Sequence, residues 1–109
     1  DEDGNNVIVN SNSNGDPSVI AGTNSDDNGY IKTINSQNKN TTVTGSKKDG
    51  SGYLTTFNNS GKRTSFISSD GKGNGMIGLY DKDQKLQYTQ KGEKKIIQQI
   101  SVDDKKKKK

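Results

Sequence analysis

Several short stretches of this chain carry residue types that could do chemistry. Asp1–Asn5 (DEDGN) and Asp81–Asp83 (DKD) gather carboxylates as a calcium loop does, and Gly71–Gly75 (GKGNG) sets a lysine among glycines as a phosphate-binding loop does. Thr41-Thr42 and Thr55-Thr56 pair threonines, as ice-binding surfaces do. Tyr30, Tyr53, Phe57 and Tyr80 offer ring faces to sugars or bases, and Lys105–Lys109 is a run of cations for an anionic surface.

Most of these fail on their own requirements. A calcium loop needs oxygen ligands at fixed alternation and a closing acidic residue; neither acidic cluster has one at that distance, and both read as turns. A phosphate loop must open a helix and run on into Lys-Ser/Thr, and no helix is legible after Gly75. The chain has no cysteine and no histidine, which removes thiol chemistry, disulfides, Cys/His zinc sites and imidazole acid–base catalysis together. No catalytic residue, metal ligand or cofactor site is expected, and the chain is not read as an enzyme. Asn40 and Asn58 stand in glycosylation sequons, a pattern that costs little in a sequence this rich in asparagine.

The formal charge of +4 is misleading, because Lys105–Lys109 supply five positive charges. The remainder carries 12 basic and 13 acidic residues, a net of −1. The body therefore lacks the basic footprint of a nucleic-acid binder, and the lysine run reads as a solvated end. No apolar run is long enough for a signal peptide or a transmembrane helix. The chain opens on Asp1 rather than Met, as expected of a processed product or a section of something longer.

What positions these residues is a repeat. Of 109 residues only 23% are hydrophobic, a composition that often means disorder. Yet the chain falls into register at a period of 23, in units 6–28, 29–51, 52–74 and 75–97, without insertion or deletion. The third position of the unit is Ile8, Ile31, Leu54 and Ile77; the fifteenth is Ile20, Val43, Phe66 and Thr89. A disordered tract has no reason to keep such a register. Partial units flank the four: Asp1–Asn5 fits the end of one, and Gln98–Val102 begins another. The array is thus assigned to residues 1–102, followed by a charged tail over 103–109.

Each unit holds two strand-like strings rich in Tyr, Phe, Ile and Thr. In the third they are YLTTFN and KRTSFIS, joined by Asn58–Gly61. Asparagine leading and glycine closing predict a type I turn ended by a left-handed residue. That residue is Gly15, Asn38 and Gly61 in the first three units, whereas Gln84 in the fourth predicts a looser turn. The links between units (DDNG, KDGSG, SDGKGNG) are turn-forming as well. The threonine rank at the fifth position (Asn10, Thr33, Thr56, Leu79) is incomplete, which argues against ice binding.

Ile8, Ile20, Ile31, Val43, Leu54, Phe66 and Ile77 are expected to form a narrow apolar line on one face, the core of an assembly. One chain has too few apolar residues to cover that line itself, so identical chains are expected to meet there. The fold class is all-β: an elongated repeat of strand-turn-strand units, a β-solenoid, triple-stranded β-helix or β-prism built by several copies.

The motif G-x-[I/L]-x-T-[I/F]-N-x-x-G-K followed by D-G-x-G is carried by Gly29–Asn35, Gly52–Lys62, Asp70–Gly75 and Gly78–Lys85. It resembles the repeats of fibrous shafts in phage tail fibres and bacterial surface fibres. The resemblance implies a homotrimeric, extracellular or virion-surface structural protein whose partner is itself. A second resemblance is to single-layer sheets of MORN type and of spirochaete surface lipoproteins, which are antiparallel meanders of one chain; the regular aromatic–glycine pairs of MORN units are missing. Two roles follow as expectations. One is the shaft of a fibre, with the incomplete end units joining copies end to end. The other is a surface-binding sheet whose Tyr30 and Tyr53 contact glycans.

Overall fold

The computed structural model describes residues 6–93. Asp1–Asn5, the partial unit from Gln98 and the lysine run lie outside the described residues, and with them the expected end-to-end contact. The rest forms eight strands: β1 (Val7–Ser11), β2 (Pro17–Thr23), β3 (Gly29–Ile34), β4 (Asn40–Ser46), β5 (Gly52–Phe57), β6 (Arg63–Ser69), β7 (Gly75–Tyr80) and β8 (Leu86–Lys91). They lie in chain order in one antiparallel sheet, with no helix among the described residues. Each strand pairs only with its sequence neighbours. Within one chain the 23-residue unit is therefore a hairpin of a meander, and not the coil of a solenoid.

All seven turns share one geometry. The first residue donates its N–H to the carbonyl four residues on and accepts from the N–H three residues on, as in Asn58 to Lys62 (2.8 Å) and Gly61 to Asn58 (2.9 Å). The fourth residue is left-handed: Gly15, Asp27, Asn38, Gly50, Gly61, Gly73 and Gln84 all have positive φ. Six turns begin with Asn or Asp, whose Oδ1 accepts two further backbone N–H groups, as Asn58 does from Ser60 (2.9 Å) and Lys62 (3.1 Å). This side chain mimics the backbone and satisfies amides that the tight loop strands. The expected looser turn at Asp81–Gln84 is a correction. Gln84 takes φ 64 and donates to the Asp81 carbonyl at 3.0 Å, while Asp81 Oδ1 binds the N–H groups of Asp83 and Lys85. The leading aspartate holds the turn with no glycine present.

Within each unit the register slips once. Thr33 pairs with Thr42, but Ile34 pairs with Asn40, leaving Thr41 extra; the same bulge recurs in β1–β2, β5–β6 and β7–β8. The link between units has no such slip. The odd period explains the bulge. Side chains alternate faces every two residues, so a unit of 23 needs one surplus residue to return each position to its face. In the two central units the bulge is clasped by hydroxyls. Thr33 Oγ1 lies 2.6 Å from those of both Thr41 and Thr42, and Thr56 Oγ1 lies 2.7 Å from Thr64 Oγ1 and 2.6 Å from Ser65 Oγ.

The bulge also corrects the expected apolar line. Ile8 pairs with Ala21 and Val9 with Ile20, so Ile8 and Ile20 point to opposite sides. Ile8, Ile31, Leu54 and Ile77 share one face with Ala21 and Ile67. Ile20, Val43 and Phe66 share the other with Thr55. Ile20 stands twelve positions after Ile8, an even offset, and an unbulged hairpin would have kept them together. No hydrophobic side chain is buried among the described residues, and Thr55 is 8% exposed. The sheet is a single layer with two unlike sides.

Candidate functional site

On one side of the sheet Val7, Val9 and Leu86 of the end strands stay about half exposed, but between β2 and β7 this side largely covers itself. Ile20, Tyr30, Val43, Tyr53, Phe66, Met76 and Tyr80 are all half-buried there, because large side chains lie over glycines on neighbouring strands. A Cβ at Gly78 would collide with the Phe66 ring, and one at Gly22 would sit 2.6 Å from Val7 Cγ1. A Cβ at Gly45 would sit 2.5 Å from the Gly29 carbonyl and 3.0 Å from Tyr30 Cα. Phe66 meets Tyr80 at 5.9 Å between centroids, tilted by 54°, and the Arg63 guanidinium lies 5.8 Å from the Tyr80 centroid. Lys47 leads the one turn without an Asn or Asp at its start, and its Nζ crosses β5 to Ser68 Oγ (3.0 Å) and the Ser69 carbonyl (3.1 Å). We call this the aromatic face.

The other side is left open. Two rows cross it at the centre of the strands. One runs Ile8, Ala21, Ile31, Thr44, Leu54, Ile67, Ile77, Gln90; the other runs Asn10, Val19, Thr33, Thr42, Thr56, Ser65, Leu79, Tyr88. Neither row contains a charged residue, in a chain that is 28% charged. Ile8 is 76% exposed, Ile67 52%, Leu79 49% and Ile31 47%. Scattered exposed aliphatics are ordinary on a protein surface; here aliphatics make up half of the band, and uncharged polar residues and Tyr88 make up the rest. The band is also pitted. Hollows of about 510 and 470 Å³ lie beside Ile31 at Gly29 and beside Ile77 at Gly75. We call this the aliphatic face.

The candidate sites of the sequence reading fall out as follows. Ile8, Ile31, Leu54 and Ile77 of the expected assembly core lie on the aliphatic face, while Ile20, Val43 and Phe66 pack on the aromatic face. Gly15, Asn38 and Gly61 occupy the left-handed turn positions. Tyr30 and Tyr53 share the aromatic face, both opposite Gly45 on the strand between them. Asn10, Thr33, Thr56 and Leu79 of the incomplete threonine rank lie in one cross-strand row, where the Thr33 and Thr56 hydroxyls are engaged across the bulges by Thr41, Thr42, Thr64 and Ser65. The carboxylates of Asp81 and Asp70 are spent on turn amides. No group of three or more metal-ligating side chains occurs among the described residues.

Two turn carboxylates titrate low. Hydrogen bonds from the Asn74 and Lys72 amides hold Asp70 below the ordinary aspartate range, helped by Lys91 at 3.9 Å. Asp49 is lowered by the Ser51 amide and then by its hydroxyl. Both shifts favour the ionised carboxylates that accept the turn N–H groups. No described helix is long and apolar enough to cross a membrane. No family model matches the chain, and no curated protein is significantly similar to it.

Proposed function

We propose that this protein is a structural β-repeat, the shaft of an extracellular or surface fibre, and that copies of the chain associate through their aliphatic faces. The observation that carries the proposal is the uncharged aliphatic band. A single-layer sheet has no core of its own, and covering that band is the largest stabilisation open to it. Eight strands at about 4.8 Å and about 3.3 Å per residue give a face of roughly 700 Å². A standard protein interface takes about 800 Å² from each partner, so one face matches what one stable contact needs. Completing the burial of a half-exposed isoleucine adds about 1 kcal/mol, repeated at each unit. Three copies with these faces inward would make a triangular prism, the arrangement the tail-fibre resemblance implies.

Sedimentation of the intact chain tests this reading. Ile67→Asp and Leu54→Asp should convert the oligomer to a folded monomer, because each sets an unpaired carboxylate in the shared layer. Lys62→Asp, on an exposed turn, should leave the oligomer intact. A wild-type chain that stays monomeric and folded at all concentrations would overturn the proposal.

A further inference from the structure

We infer that the aromatic face carries a binding cleft for an acidic sugar, a pyranose ring bearing a carboxylate, between Tyr30 and Tyr53. The cleft encloses about 290 Å³ and is lined by Asn24, Tyr30, Lys32, Val43 and Tyr53. Its walls are set by the meander. Tyr30 on β3 and Tyr53 on β5 both pair with Gly45 on β4, so two inter-strand spacings, about 9.6 Å, separate them. The strand between contributes only glycine and half-buried Val43 at this level. The Phe66–Tyr80 pair in the fourth hairpin has closed on itself, whereas Tyr30 and Tyr53 make no ring contact among the described residues.

The lining selects the ligand. The two tyrosine rings and Val43 offer apolar surface to the C–H groups of a saturated ring, while Asn24 and Lys32 place polar groups at its edge. The C–H faces of a pyranose then rest on the tyrosine rings and on Val43, while hydroxyls reach solvent at the mouth. The charge there is Lys32. Its Nζ lies 5.6 Å from the Tyr30 centroid, and it has no carboxylate within ion-pair distance among the described residues. A carboxylate on the sugar would supply that partner, and at a surface cleft the pairing would weaken with salt. The site uses one chain and the side opposite the aliphatic band. It therefore stands or falls apart from the proposed assembly, and a shaft with its aliphatic faces inward would display it outward.

The test titrates the chain with oligogalacturonate and, separately, with a neutral glucose oligosaccharide, followed by tyrosine fluorescence, which no tryptophan obscures. The acidic oligosaccharide should bind the more tightly, and added salt should narrow the difference. Tyr30→Ala and Tyr53→Ala should each weaken binding about tenfold, as expected for loss of one stacked ring, while Tyr30→Phe retains it. Lys32→Gln should remove the preference for the acidic sugar and leave the neutral one unchanged. The Ile67→Asp monomer should bind as the wild type does. No binding of either sugar, binding unaffected by both alanine variants, or tighter binding of polyuridylate than of the uronate would each overturn the inference.

Discussion

Replacing Gly45 with alanine should destabilise the sheet, although alanine is ordinarily the better strand residue. In a strand interior, glycine is disfavoured by backbone entropy, and Gly→Ala at a compatible site adds about 0.4–1 kcal/mol through the unfolded chain. At Gly45 the new methyl would lie 2.5 Å from the Gly29 carbonyl and 3.0 Å from Tyr30 Cα, about 0.9 Å short of ordinary contact at the first. Those are backbone atoms, so no rotamer change relieves them and β3 must move away from β4. Overpacking of this kind costs about 1–3 kcal/mol, which outweighs the entropic gain and leaves a net loss of about 1–2 kcal/mol. For a domain of this size that lowers Tm by roughly 5–15 °C. Thermal unfolding followed by circular dichroism measures it, in the Ile67→Asp background so that association does not move the midpoint. Gly71→Ala is the control, since nothing lies within 4 Å of its Cβ and its φ is not positive; its Tm should hold or rise. If Gly45→Ala rises with it, the close approach of β3 and β4 at this point is wrong.

Gln84→Gly should stabilise the last turn by about 0.5–1 kcal/mol, because a side chain at φ 64 is strained where glycine is not; an unchanged Tm would mean that the Gln84 side chain, which accepts from the Arg63 amide, offsets the strain. The acid limb of stability should depend on Asp49 and Asp70. Their folded pKa values lie below the unfolded aspartate value of about 3.9, so the stability they contribute is fully present above that pH and is lost as pH falls through the folded values. The double variant Asp49→Asn, Asp70→Asn should therefore flatten the fall of Tm below about pH 4, while asparagine keeps the oxygen that caps the turn; an unchanged acid limb refutes this. Phe66→Ala should lower the Tm of the monomer, since it uncovers Gly78 and Tyr80, whereas Ile31→Thr on the aliphatic face should lower association and leave the monomer Tm nearly unchanged.

The hairpins were legible in the sequence because their signals are local. Asn58 and Gly61 specify a turn through their own backbone preferences, and strings such as YLTTF are strand-formers wherever they lie. The common geometry of all seven turns was only half legible, since Asp81 holds its turn through a side-chain oxygen and not through a glycine. The sidedness was missed. It depends on one surplus residue per unit, and nothing in Ser18, Thr41 or Thr64 announces that it stands outside the pairing. Counting by twos across that residue placed Ile20, Val43 and Phe66 on the wrong side. Tyr30 and Tyr53 could be picked out as rings with ligand potential. Lys32, two residues after Tyr30 on the same strand, shares its face by simple alternation, but Val43 could not be added to them, because only the register shows which residue the intervening strand sets between the rings.

The surplus residue has a consequence for how such a chain can change length. With no core to close, each hairpin rests on its two neighbours, so stability accrues nearly in proportion to their number. The molecule behaves as a ruler graduated at about 9.6 Å per hairpin. Its graduations are whole: a duplication or loss of 23 codons keeps the aliphatic and aromatic sides aligned from end to end. A loss of 22 that takes the bulge with it would turn every later isoleucine of the band over to the tyrosine side. Genes for this sheet can therefore grow and shrink by recombination between units, while a single-residue deletion at a paired position breaks both surfaces at once and loss of the surplus residue alone leaves them aligned.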